Sequence, residues 1–156
     1  MSKPLVRALH ETDLAALLEL ETVCFDHPWS EKQLSTYLVG ERYLCFGLWS
    51  TTQLHGFALL STVLDEAELL QIGVHPDYRG QGGATELLSY VHARLNDRGI
   101  NRCLLEVRSS NTPALGLYHR LAYQKDGVRK GYYPTAKGSE DAILMSCGKL
   151  KSALGG

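Results

Sequence analysis

No run of about eighteen apolar residues occurs in this chain, so nothing in it reads as a membrane-spanning helix. The opening Met1-Ser2-Lys3-Pro4 lacks an apolar segment of the kind that directs secretion, and a cytoplasmic protein is expected. Cysteine is sparse: Cys24, Cys45, Cys103 and Cys147 stand far apart, with no Cys-x-x-Cys pair. That spacing argues against a zinc site and against a disulfide framework, so no metal is expected. Cys45 and Cys103 lie inside apolar runs and read as small buried hydrophobes. Neither sign of charge is in excess. The formal net charge is -1 over 156 residues, which gives no bulk drive toward nucleic acid or membrane surface. Repeats, low-complexity tracts and linkers are lacking too. So are a G-x-G-x-x-G and a Gly-Lys-Ser/Thr, which sets aside the dinucleotide fingerprint and the Walker loop.

What remains is ordinary globular material: 44% hydrophobic and 21% charged residues, in a length that suits one domain. That domain is expected over residues 1–150, with 151–156 as a disordered tail.

The chain is organised around residues 70–88. An apolar run through Leu69 to Val74 reads as a buried strand, and His75-Pro76-Asp77 ends it because proline removes a ladder donor. Three glycines follow within 79–84, and then Ala84, Leu87, Leu88, Val91 and Leu95 fall at helical spacing. Strand, glycine-rich turn and helix in that order bring free backbone amides and a helix N-terminus to one place, which suits a phosphate group. A purely structural turn is the alternative.

The rest of the chain alternates. A first strand is expected over 5–9. A helix capped by Thr12 runs to about 23, with Leu14, Leu17, Leu18 and Glu21 on one face. Ser30-Glu31-Lys32-Gln33 reads as a capping box for a second helix to about 38. Strands over 42–50, 54–63 and 68–74 form an antiparallel meander. The next helix ends near Gly99, and a strand over 102–107 pairs in parallel with 68–74 through a crossover. Asn111 caps a last helix to about 121, with Pro113 in its first turn. Strands over 123–129 and 141–146 close the order, joined by a loop over 131–140. The fold class is mixed α/β: a twisted, mostly antiparallel sheet with one parallel pair, flanked by about four helices.

Two residues stand out chemically. Glu106 interrupts an apolar strand and suits a general base; a strand-end carboxylate paired with Arg108 or Arg129 is the alternative. Tyr118 suits a general acid; helix-face packing is its alternative. His119 is a weaker acid candidate, and His75, His92 and His119 read as isolated surface or interface residues.

The order Arg79-x-x-Gly82-x-Ala84, with the strand before it and Val74-x-Pro76-x-Tyr78 leading in, resembles the pyrophosphate-binding motif of the GNAT N-acetyltransferases. The likeness covers about 5–145. Pro28-Trp29-Ser30-Glu31, Leu105-Glu106-Val107-Arg108-Ser109-Ser110-Asn111 and Tyr132-Tyr133-Pro134 resemble the RimI-type branch, whose members acetylate the N-terminal alanine of a small-subunit ribosomal protein. The resemblance implies acetyl-coenzyme A as co-substrate, Glu106 as base and Tyr118 as acid. It also implies cofactor binding by Ile72, Gly73 and Val74, by Arg79, Gly80, Gln81, Gly82, Gly83, Ala84 and Thr85, and by Asn111. Trp29, Tyr132 and Tyr133 would wall the acceptor groove. The implied partner is the N-terminus of a ribosomal protein, met by a monomer without direct nucleic-acid or membrane contact. One departure is visible: Gly80 and Thr85 stand where the family often carries basic residues, so fewer side chains would reach the cofactor phosphates. A small-molecule amine acceptor, favoured by the acidic run Asp65, Glu66 and Glu68, is one rival reading. A non-catalytic acetyl-coenzyme A sensor is the other.

Overall fold

The computed structural model describes residues 4–148 and 150. The expected tail, 151–156, lies outside the described residues. Among them a single seven-stranded sheet runs in the order β1-β2-β3-β4-β5-β7-β6. The strands are β1 (Leu5–Ala8), β2 (Tyr43–Ser50), β3 (Gln53–Val63), β4 (Glu66–Val74), β5 (Arg102–Arg108), β6 (Gln124–Thr135) and β7 (Gly138–Cys147). The helices are α1 (Leu14–Cys24), α2 (Glu31–Val39), α3 (Gly83–Asp97) and α4 (Thr112–Arg120). Every strand pair is antiparallel except β4–β5.

Side-chain alternation divides the core in two. Leu44, Phe46 and Leu48 on β2, with Ala58 and Leu60 on β3, join α3 and α4 on one face. Cys45 and Trp49, with Phe57 and Leu59, join α1 and α2 on the other. β2 and β3 are therefore covered on both faces, which is why they read as unbroken apolar runs rather than alternating ones.

Local signals explain most helix boundaries. Ser30 Oγ accepts the Gln33 amide at 3.2 Å while Gln33 Oε1 accepts the Ser30 amide at 3.0 Å, the expected capping box. Asn111 Oδ1 accepts the Ala114 amide at 3.2 Å at the start of α4. Gly99, at φ +76°, closes α3. The start of α1 differs from expectation. A 3-10 turn over Glu11–Asp13 precedes it, and Asp13 rather than Thr12 accepts the His10 amide, at 2.8 Å, while pairing with Arg7. Asp13, not Thr12, stands at the N-cap position of α1, and its carboxylate serves these two partners rather than an amide of α1.

The larger correction lies at the end of the chain. Residues 131–140, expected as a loop, are the outer part of a long β6–β7 hairpin. Two register shifts interrupt it, between Lys125 and Gly127 and between Arg129 and Tyr133. Gly131 sits in the second at φ +61°, its amide donating to Asp141 Oδ1 at 2.9 Å. Bulges of this kind erase the period of two by which a strand is recognised.

Candidate active site

Among the described residues the sheet opens where its one parallel pair comes apart. β4 and β5 are in register at Glu66↔Arg102, Ala67↔Cys103 and Glu68↔Leu104. The β3–β4 register shifts just after that, with Leu59 opposite Gln71 and Leu60 opposite Leu69, so Leu70 is an extra residue in β4. A bulge bends its strand, and here it turns the end of β4 away from β5. The His75 amide donates to His55 O at 2.7 Å, toward β3. By strand alternation Ile72 and Val74 then present their backbone groups to the open side. Val74 O takes the Nε–H of Arg79 at 2.9 Å.

A cavity of about 640 Å³ fills this opening. All the cofactor candidates except Gln81 line it, and so does Tyr118. Gly80 and Gly82 hold φ +78° and +81°, with open space where a Cβ would be. These left-handed residues turn the loop so that α3 begins with its N-terminus at the cavity. The first amide to bond within α3 is that of Glu86, to Gly82 O at 3.0 Å, which leaves those of Gly83, Ala84 and Thr85 outside the helical ladder. Glycine at 83 also meets a packing demand, since a Cβ there would sit 3.0 Å from Leu48 Cδ2. Backbone donors, a helix N-terminus and Arg79 together fit a pyrophosphate.

Sequence reasoning missed several lining residues. Cys24 and Phe25 arrive from the end of α1, and only the three-dimensional packing brings them there. Arg120 reaches in from α4; its guanidinium lies 3.4 Å from where a Cβ on Gly116 would stand. A glycine one turn back gives that side chain room, because helical side chains lean toward the N-terminus. Arg120 thus adds a cation to the cavity lining.

Tyr118 is buried, packed 5.6 Å from the Tyr123 ring. Burial, with a smaller contribution from Cys103, pushes its phenol up to about 12. Tyr123 Oη lies 2.7 Å from Nε2 of the fully buried His92. His92 is therefore part of the buried packing behind Tyr118 rather than an isolated surface or interface residue. His75 is not isolated either: it caps the Pro76–Tyr78 turn by accepting the Asp77 amide at 3.1 Å, and its ring packs on Tyr78, which stacks on His55 at 3.6 Å.

Glu106 lies outside the cavity lining. Cys103, Leu105 and Val107 of β5 pack on the α3–α4 side, so by alternation Glu106 faces the other side of the sheet. There its carboxylate meets Arg129 at 3.5 Å, one of the two cations named for it above. Arg108 holds Glu140 at 2.8 Å and lies 4.3 Å from the centre of the Tyr133 ring. Arg129 lies 5.3 Å from the centre of the Tyr132 ring, and the two tyrosines meet edge to face at 5.1 Å. Burial, then the Glu106 charge, raises the Tyr133 phenol above its ordinary value. Trp29 is half-buried, its ring 5.0 Å from Tyr37. The acid candidate and the base candidate thus stand on opposite faces of the sheet.

Residues 14–123 match the model of the acetyltransferase (GNAT) family. The chain belongs to that family. The GNAT likeness read from the loop and the element order is thereby confirmed, as is the expectation of an acetyltransferase. The chain is 42% identical over 141 residues to the [ribosomal protein bS18]-alanine N-acetyltransferase of Escherichia coli, covering 90% of this chain and 95% of that one. It is similar to the crystal structure of the ribosomal-protein-S18-alanine N-acetyltransferase from Escherichia coli, with TM-score 0.89, 40% identity and coverage of 97% and 96%. Arabidopsis thaliana NAA60 in complex with acetyl-CoA shares the fold at TM-score 0.83 and 19% identity, over 92% of this chain and 97% of that one. GNAT acetyltransferases use acetyl-CoA. Among the described residues no cluster of three or more His, Cys, Asp or Glu could hold a metal ion, and no helix is long and apolar enough to cross a membrane.

Proposed function

We propose that this GNAT enzyme acetylates the α-amine of an N-terminal alanine on the small-subunit ribosomal protein bS18. The observation that carries the reading is the near-full-length likeness to the Escherichia coli enzyme of that activity. The cleft supports it. Acetyl-coenzyme A, when bound, supplies an activated acetyl group. The amides at 83–85, Arg79 and Arg120 hold its phosphates, while Ile72 and Val74 orient its arm by backbone bonds. Asn111, besides capping α4, contacts the same arm.

The acceptor amine approaches from the Glu106 face, between the loop that holds Trp29 and the aromatic pair Tyr132 and Tyr133. A terminal α-amine has a pKa of about 7.7–8.0, against about 10.4 for lysine, so one carboxylate suffices to take its proton. Glu106 accepts that proton at its carboxylate oxygen. Tyr118, on the other face, gives its phenolic proton to the departing sulfur. The transfer is direct and needs no covalent bond to the protein. A ribosomal acceptor places the enzyme in the cytoplasm. The acidic run that would favour a polycationic acceptor sits at the closed end of β4, where Glu66 is paired with Arg102 at 3.2 Å.

Thiol release from acetyl-coenzyme A tests this directly, with a peptide bearing the N-terminus of bS18 from the source organism. Release is expected with the free amine and not with a blocked one. Equal release from small polyamines, or none with cofactor binding demonstrated, would overturn it.

A further inference from the structure

The last turn of α1 carries a carboxyl that water does not reach. Glu21 is fully buried. Its Oε1 accepts the Trp29 amide at 2.9 Å and Nε2 of Gln71 at 2.7 Å. Its Oε2 and the Gln71 Oε1 are both buried without a hydrogen-bond partner. Two donors on one oxygen do not repay the desolvation of a carboxylate whose other oxygen is bare. Burial accordingly raises the Glu21 carboxyl above the usual carboxylate range, against the pull of Trp29 and Gln71. For packing alone, an apolar side chain would fill this volume without that cost.

What Glu21 joins is informative. It ties the end of α1 to the residue before the Ser30 cap of α2, and both to β4 one residue before Ile72. The loop closed in this way, residues 25–29, contains Phe25. Phe25 lines the cavity and lies 3.3 Å from where a Cβ on Gly73 would be. Phe57 would meet that same Cβ at 3.0 Å, so the space beside Gly73 is bounded by two rings, one of them on this loop.

We propose that Glu21 is a positioning residue which fixes loop 25–29 against β4 and so sets the width of the acceptor groove beside Gly73. This rests on the reading that the acceptor amine approaches from that face. Glu21 lies outside the cavity lining and acts through the Trp29 amide and Phe25.

The test compares Glu21→Ala, Glu21→Gln and Glu21→Asp. It reads the KM for the bS18 peptide, the KM for acetyl-coenzyme A, kcat and thermal stability. Trp29 emission and acrylamide quenching are followed in parallel in a Trp49→Phe background, since the chain has only these two tryptophans. Glu21→Ala is expected to raise the peptide KM about tenfold, leave the acetyl-coenzyme A KM within about twofold, and expose Trp29 to quencher. Glu21→Gln is expected to restore peptide KM and emission, because it keeps an acceptor oxygen for Trp29 in the same volume without charge. Should Glu21→Ala fail to fold, Glu21→Asp, one methylene short, is expected to show the same selective rise. A lower melting temperature with unchanged peptide KM and unchanged emission would reduce Glu21 to a packing role and overturn the proposal. Glu21→Gln behaving like Glu21→Ala would also overturn it. If the wild-type enzyme ignores the peptide, the functional reading fails by itself, and Trp29 emission alone then decides the role of Glu21.

Discussion

The two walls of the cleft are built from different materials. The wall proposed for the cofactor is the bent end of β4, the glycine loop and the start of α3, and it offers chiefly backbone amides and carbonyls. The wall proposed for the acceptor is β5 with the β6–β7 hairpin, and it offers side chains: Glu106, Arg108, Arg129, Tyr132 and Tyr133. A backbone wall tolerates changes of side chain so long as the chain keeps its path. That is how the loop carries Gly80 and Thr85 without losing its shape, and how Arg120 can add a cation from elsewhere. A side-chain wall has no such reserve. Each residue there acts through its own atoms.

The sharpest break in this comparison is Tyr118, the group on the cofactor side expected to move a proton with its side chain. Tyr118→Phe should lower kcat about a hundredfold or more and leave acetyl-coenzyme A affinity unchanged, read by steady-state kinetics and calorimetry. Because burial holds the phenol near 12, it stays protonated, and so able to donate, at every pH below that. The wild-type kcat should therefore show no alkaline fall from this group up to about pH 10. A fall near pH 8 or 9 that disappears in Tyr118→Phe would show the phenol exposed and easily ionised instead.

A backbone wall should break by a change of path. Gly82→Ala meets no steric neighbour, yet it forces a side chain onto a residue at φ +81°. That strain, about 1–2 kcal/mol, should appear as roughly a tenfold or greater loss of acetyl-coenzyme A affinity with the peptide KM little changed. Thr85→Ala, which keeps the amide, should cost almost nothing by the same calorimetric titration. Equal losses in the two variants would mean that side chains, not amides, hold the phosphates.

The acceptor wall should answer to single atoms. Tyr133→Phe removes one hydroxyl and keeps the ring on Arg108. It should raise the peptide KM about three- to tenfold and leave acetyl-coenzyme A binding alone, measured in the same assays. A matching loss of cofactor affinity would show that the hairpin serves both walls.

The same difference explains what could be read from the sequence. Glycine spacing, a helix cap at Asn111 and the Ser30–Gln33 box are local signals, so the loop, α2, α4 and the order of elements were all visible. The outer hairpin was not. Gly131, Pro134 and Gly138 mimic a loop, and the two bulges of β6 scramble the alternation that would have revealed a strand. Glu21 looked like one more residue on a helix face, because its partners, Trp29 and Gln71, are 8 and 50 positions away. Arg120 and Phe25 belong to the cavity only because α4 and the end of α1 come to it in space.

One contact ties the β6–β7 hairpin to the start of α4, which carries Asn111, and should have the smallest effect. Glu140, on β7, takes Arg108 at 2.8 Å and the Ser110 amide at 3.3 Å, one residue before the Asn111 cap of α4. The Arg108 guanidinium, then Ser110, lower its carboxyl below the ordinary range. A carboxyl lowered on folding contributes stability above its unfolded value of about 4.3, and that contribution is lost as pH falls through the folded value. Between pH 6 and 9 the pair is therefore fully ionised and should show no pH dependence. Because the pair is open to solvent, Glu140→Gln should move either KM by less than about threefold and fade further in high salt. Thermal melts of wild type and Glu140→Gln at pH 7 and pH 4 read the linkage: the difference between them should shrink at the lower pH. A difference that grows there would place the charge on the wrong partner. A large rise in both KM values would show that the two walls are held in register through this one carboxylate and are not independent.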